Sequence, residues 1–134
     1  MPKIVRGSKI PGYLRFTNNA NDQHMVDLMA MQNLVDELGA RSVHFFGFQN
    51  RDEIVKYYTI SDLLVLPSVR ETWGIVVNEA MCFGLPVIVS NQVGAGVDLI
   101  ANGRNGYRVP LDGEDLFVTI QQIADLSEKE RLLM

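Results

Sequence analysis

The residues whose types and spacing could do chemistry lie between positions 68 and 83. Two carboxylates, Glu71 and Glu79, stand there with seven residues between them. The helix expected over 74–83 carries only Asn78 and Glu79 as polar side chains, among Ile75, Val76, Val77, Ala80, Met81, Cys82 and Phe83. A helix apolar on all sides is expected to be buried. An ionised carboxylate buried without partners is costly or forced into its neutral form, so Glu79 either meets donors inside the protein or faces a ligand cleft. On the helix alone a satisfied structural glutamate accounts for it. Position points toward the cleft: the helix follows an unbroken apolar run at 63–66, and open α/β sheets bind ligands beyond the carboxyl ends of their strands. A helix N-terminus there offers N–H groups and a positive dipole end to phosphates, and Gly74, lacking a side chain, would let an anion approach them. Glu71 falls in the loop before that helix, exposed enough to stay ionised.

Other candidates carry less. Gly94-x-Gly96 follows an expected strand and precedes an expected helix, but Leu99 occupies the third glycine position of a dinucleotide fingerprint, which favours a plain tight turn. No G-x-S-x-G supports a hydrolase nucleophile. His44 alternates with Val43 and Phe45 and reads as a sheet-face histidine, while Cys82 reads as core packing. Two histidines and one cysteine make no zinc site, so no metal is expected, and the single cysteine cannot form an internal disulfide. Trp73 either floors a ligand site by stacking or packs the helix start.

The elements that must position these residues follow from hydrophobic period. Residues 12–17 read as a strand and 18–22 as a polar loop. Met25, Leu28, Met31, Val35 and Leu38 recur at helical intervals, with Asn21 or Asp22 as N-cap and Gly39 as stop. Residues 43–48 read as a strand. Asn50 with Glu53 then opens a helix through Tyr58, in which Tyr57 and Tyr58 anchor to the sheet. Residues 63–66 and 86–90 lack polar alternation, as expected of strands covered on both faces. A turn at 94–96, a short helix at 97–101 and a strand at 106–109 follow. Leu116, Ile120 and Ile123 line a further helix with Glu114 and Asp115 in its first turn, and Ser127 with Glu130 forms a capping box. Strand–helix alternation of this kind predicts one α/β domain over 1–134 with a parallel sheet flanked by helices; the first twenty residues are the least legible.

Composition fits that reading. The 134 residues are 47% hydrophobic and 21% charged, which excludes disordered and collagen-like classes. At this length a chain buries roughly 68% of the surface its unfolded form exposes. A net charge of −4, from 12 Lys+Arg against 16 Asp+Glu, offers nucleic acid or anionic lipid no general attraction. The longest uncharged apolar stretch, 80–89, is broken by Gly84 and Pro86 and falls short of the ~20 residues a membrane span needs. Residues 1–12 carry Lys3, Arg6 and Lys9 without an apolar h-region, so no secretory signal is read and a cytoplasmic location is expected.

The ordered series of motifs adds a family. Glu71 to Met81 resembles the E-x7-E segment of the retaining glycosyltransferases of family 4. Gly84-Leu85-Pro86-Val87-Ile88-Val89-Ser90, Val93-Gly94 with Asp98 and Ile100, and Gly103-x-x-Gly106 continue that resemblance. Upstream, Val43-x-Phe45-x-Gly47-Phe48 and Ser61-Asp62-x-x-Val65-x-Pro67-Ser68 resemble it too, so the match runs from about 25 to 126. The resemblance implies a Rossmann-like fold, the C-terminal donor-binding half of a GT-B enzyme. The implied ligand is a nucleoside-diphosphate sugar (UDP-, GDP- or ADP-linked), and the implied partner an N-terminal acceptor-binding half, through which any membrane contact would be made. It further implies that Glu79 accepts from the ribose hydroxyls and that Glu71 lies against the donor sugar. Gly74, Ile75 and Val76 would offer N–H groups to the diphosphate and sugar, and the Gly47-Phe48-Gln49 loop would border the base. No cofactor or metal is implied.

Where the family has Gly-Phe-Gly, this chain has Thr72-Trp73-Gly74, which bears on the sugar taken; Asp98 stands where glutamate is usual. The Arg and Lys that neutralise the diphosphate have no counterpart here, since Arg6 and Lys9 have the wrong spacing. The chain is therefore expected to be a fragment that does not transfer sugar alone. A nucleotide-binding or interaction module without transfer activity is the alternative, and an epimerase of similar fold is disfavoured by the E-x7-E spacing.

Overall fold

The computed structural model describes residues 13–15, 22–46 and 49–134. The chain order is β1 (Tyr13–Arg15), α1 (Asp22–Glu37), β2 (His44–Phe46), α2 (Arg51–Ile60), β3 (Leu64–Leu66), α3 (Ile75–Cys82), β4 (Val87–Ser90), α4 (Gly94–Leu99), β5 (Gly106–Val109), α5 (Gly113–Asp125) and α6 (Glu128–Leu132). All strand pairs are parallel: β1 with β2, and β3–β4–β5 with β4 in the middle. The registers Leu64–Val87 and Val87–Gly106 start the three strands level, so their carboxyl ends open on one edge.

Side-chain alternation along β4 sends Val87 and Val89 to one face and Ile88 to the other. The first face packs against Ile54 and Tyr58 of α2, Val77 and Ala80 of α3, and Ala95 of α4. The second packs Ile88 and Val109 against Ile123, Leu116 and Ile120 of α5. This is the expected α/β arrangement, a parallel sheet with helices on both faces. β4 is wholly buried as its apolar run predicts, whereas β3, at the edge of the three-stranded sheet, is only half-buried.

Several local expectations hold. Asn50 Oδ1 accepts from the Glu53 N–H at 2.9 Å to start α2, and Tyr57 packs on Phe46 of β2 with ring centroids 4.7 Å apart. Ser127 and Glu130 form the full capping box of α6. Gly39, with φ +59°, follows the end of α1; Met31 and Val35 of that helix are half-buried, but Leu38, one residue past its end, lies exposed rather than continuing their face.

Three expectations are corrected. α3 is not buried on all sides: Val77 and Ala80 face the core, while Ile75 is 63% exposed and Phe83, just past the helix, 43%. Apolar composition does not by itself bury a face, since only one side of α3 meets the sheet. Cys82 is likewise exposed rather than core. Finally, Gly94-Ala95-Gly96 is no turn before a helix but the first turn of α4, which ends at Leu99. A Cβ at Gly96 would stand 2.7 Å from Val89 Cγ2, so the glycine lets α4 lie against β4. The ends of the 12–17 strand, the 18–21 loop with Asn21, the side chains of Met25 and Leu28, and the Gly47-Phe48 part of the base loop lie outside the described residues.

Candidate functional site

The site is framed at the carboxyl edge of β3 and β4. Ser90, buried at the end of β4, donates its hydroxyl to the Ser68 carbonyl at 2.5 Å, tying together the two chain segments that leave the sheet. Beyond that tie the 71–73 loop runs parallel to 92–95. The Glu71 N–H donates to the Gln92 carbonyl (3.3 Å), the Gly94 N–H to the Glu71 carbonyl (3.0 Å) and the Ala95 N–H to the Trp73 carbonyl (2.8 Å). The first N–H groups of α4 are thus taken by this loop, which removes them from any dinucleotide role. A Cβ on Gly94 would collide with the Thr72 carbonyl, so the close approach of the two segments requires glycine.

Gly74 closes the loop and opens α3. Its φ of +90° is a conformation that side chains rarely adopt, and a Cβ there would press on Leu66 and Val93 (3.1 Å each) and on Glu71 Cγ (3.2 Å). The glycine therefore serves the turn and the packing beneath it. No side chain caps α3, so the N–H groups of its first turn, from Ile75 and Val76, lack a side-chain acceptor. Trp73, 40% exposed, donates its indole N–H to Asn78 Oδ1 at 2.8 Å, which latches the loop to the helix. The bond fixes the indole at the start of α3 and leaves part of its surface exposed.

Glu71 is half-buried on the loop, its side chain over Gly74, and none of the side-chain hydrogen bonds or ion pairs found among the described residues involves its carboxylate. Glu79 does find a donor inside the protein: Tyr58 Oη of α2 donates to Glu79 Oε2 at 2.8 Å. The same carboxylate lines an open cavity of about 190 Å³ between α2 and α3, with Arg51, Ile54, Val55, Tyr58, Cys82 and Phe83. So the structure gathers Glu71, Trp73 and Gly74 on one loop and gives Glu79 a separate cavity wall, while Gly47 and Phe48 lie outside the described residues. Sequence reasoning missed Arg51 and the part of Tyr58. The signal was present, because Arg51, Ile54, Val55 and Tyr58 repeat at helical spacing on one face of α2. Among the described residues no three His, Cys, Asp or Glu side chains group closely enough to hold a metal ion, and no helix is long and apolar enough to cross a membrane.

Residues 26–132 match the family described as Glycosyl transferases group 1. An uncharacterized glycosyltransferase of Methanocaldococcus jannaschii is 44% identical over 80 residues, covering 59% of this chain and 20% of that protein. The D-inositol 3-phosphate glycosyltransferase of Rhodococcus jostii is 39% identical over 107 residues, 77% of this chain and 23% of its own length. Among solved structures, sucrose-phosphate synthase from Thermosynechococcus elongatus superposes with a TM-score of 0.73 at 28% identity, over 90% of this chain and 30% of that one. HepE of Anabaena, in complex with UDP-glucose, gives 0.73 at 26% identity over 90% and 32%. The chain thus spans about a fifth of the curated relatives and a third of the solved chains. With the Rossmann-like parallel sheet of a GT-B enzyme and a family match over most of its length, the chain belongs to the group 1 glycosyl transferases.

Proposed function

We propose that this domain binds the donor of a retaining glycosyltransferase of family 4, a nucleoside-diphosphate sugar held at the carboxyl edge of β3 and β4. The observation that carries the proposal is the setting of Glu79, an anchored carboxylate on the wall of an open cavity. Two acceptor oxygens suit a vicinal diol, so Glu79 accepts from the ribose hydroxyls. The N–H groups of Ile75 and Val76, at the positive end of the α3 dipole, lie toward the diphosphate and sugar, with the Gly47-Phe48-Gln49 loop beside the base. Trp73, held by Asn78, floors the sugar. Glu71 stands at the reacting carbon, where its charge strengthens its hold as the sugar becomes oxocarbenium-like. A second, acceptor-binding half completes the enzyme. The likeness to a HepE structure holding UDP-glucose supports a nucleotide-sugar as ligand.

The test is ligand-induced stabilisation of the 134-residue chain by UDP-, GDP-, ADP- and CDP-sugars, repeated on Glu79→Gln. A true ligand at about 100 times its dissociation constant adds roughly 2.7 kcal/mol to unfolding stability. The expected result is that one nucleotide class raises the melting temperature of the parent chain, and that Glu79→Gln loses most of that rise while unliganded melting changes little. A flat panel would remove the donor reading. A rise that Glu79→Gln retains in full would return Glu79 to a structural glutamate.

A further inference from the structure

Tyr58 lies near the end of α2, 5% exposed, with its ring stacked on Phe83 at a centroid distance of 5.6 Å. A buried phenol hydroxyl needs a partner, and a backbone carbonyl would satisfy it. The acceptor here is instead Glu79 Oε2, 21 residues away, and both side chains line the same cavity. A glutamate on a cavity wall has several rotamers open to it, and each must be frozen when a ligand arrives. A donor that packing already holds immobile removes that freedom beforehand. One such bond leaves the carboxylate with capacity to spare, since it offers about four lone-pair positions. Tyr58 can therefore keep its bond while two ligand hydroxyls form theirs.

We propose that Tyr58 is a positioning residue: its hydroxyl holds the Glu79 carboxylate in the rotamer that meets a vicinal diol, so selection of ribose over deoxyribose depends on Tyr58. This rests on the reading of Glu79 as the ribose acceptor. In this role Tyr58 acts on ribose selection through Glu79, which separates it from a residue that merely fills the space between α2 and α3. Loss of packing would weaken every ligand alike, whereas loss of positioning weakens only those that carry the diol.

The experiment is calorimetric titration of the 134-residue chain with UDP, GDP and ADP and with their 2′-deoxy counterparts, read on whichever pair binds the parent most tightly. Tyr58→Phe keeps the ring and its stacking on Phe83. It is expected to lower the ribo-to-deoxy affinity ratio about fivefold, the size of one net hydrogen bond, while binding of the deoxynucleotide stays as in the parent. Glu79→Gln is expected to bring the ratio close to one, and adding Tyr58→Phe to it is expected to change nothing more. Should Tyr58→Phe fail to fold, Tyr58→Met takes its place: it fills much of the same space without a hydroxyl, leaves Glu79 intact and is expected to lower the ratio likewise. A ratio that survives Tyr58→Phe, or Tyr58→Met in its place, overturns the positioning role while leaving Glu79 as the ribose acceptor. A ratio untouched by Glu79→Gln overturns the donor-site reading itself, and the role of Tyr58 with it.

Discussion

Glu71 and Glu79 share a side-chain chemistry and differ in how the protein holds them. Glu79 sits within α3 with its carboxylate bonded to the Tyr58 hydroxyl. Glu71 is fixed by its main chain, through the Gln92 and Gly94 bonds, and its half-buried carboxylate takes part in none of the side-chain hydrogen bonds or ion pairs found among the described residues. That division predicts opposite kinetic signatures. In the two-domain enzyme, Glu71→Ala should cut the turnover number by orders of magnitude and leave nucleotide affinity nearly unchanged, because what it removes is felt chiefly in the transition state. Steady-state kinetics beside calorimetric binding would check this, and near-parental turnover would make Glu71 an ordinary loop carboxylate. From the sequence Glu79 had either to meet donors inside the protein or to face a cleft, a choice that rested on a helix buried on all sides, which α3 is not. Which donor it found was not legible, because the partner lies 21 residues upstream on another helix.

At the scale of elements, the junction between the 71–73 loop and α4 is the tightest close approach near the site. Gly94→Ala would drive a methyl group onto the Thr72 carbonyl and is expected to cost about 2 to 3 kcal/mol, as overpacking does. Gly113→Ala, in the first turn of α5 where a Cβ meets nothing within 4 Å, should cost nothing. Urea midpoints for the two variants would separate them, and equal midpoints would show that the loop gives way. α6 supplies a pH-dependent contrast. The Ser127 hydroxyl and N–H hold the Glu130 carboxyl below its ordinary value. A lowered carboxylate pKa favours the folded cap above the unfolded value and is lost as pH falls through the folded one. The amides of α6 should therefore lose exchange protection in acid below the ordinary carboxylate range, ahead of those in β4. Most elements were legible because their hydrophobic period is regular. The start of α4 was not: two glycines read as a turn by propensity, whereas the N–H groups of Gly94 and Ala95 find acceptors in the loop carbonyls of 71 and 73, far away in sequence.

For the whole molecule, the ordered motifs made family and fold legible, because spacing across many elements constrains far more than any one of them. The α2–α3 cavity was hidden, being a product of how two helices converge on one sheet face. The chain spans only a fifth to a third of the proteins it matches, and binding and turnover should separate accordingly. The isolated 134-residue chain is expected to bind nucleotide yet neither transfer sugar nor hydrolyse donor above background, while adding an acceptor-binding half restores transfer. Radiolabelled donor assays would decide it, and robust turnover by the chain alone would show that the chemistry needs less than the proposal assigns. One last consequence belongs to the seam between 71–73 and 92–95. Its bonds are all drawn from peptide groups, so the side chain of Thr72 is not part of the fastening, and that of Trp73 adds only its separate bond to Asn78 on α3. A lineage could exchange those two side chains while the main-chain mount of Glu71 survived each step. Inheritance would be strict at the unseen glycine behind the seam and permissive at the visible residues in front of it.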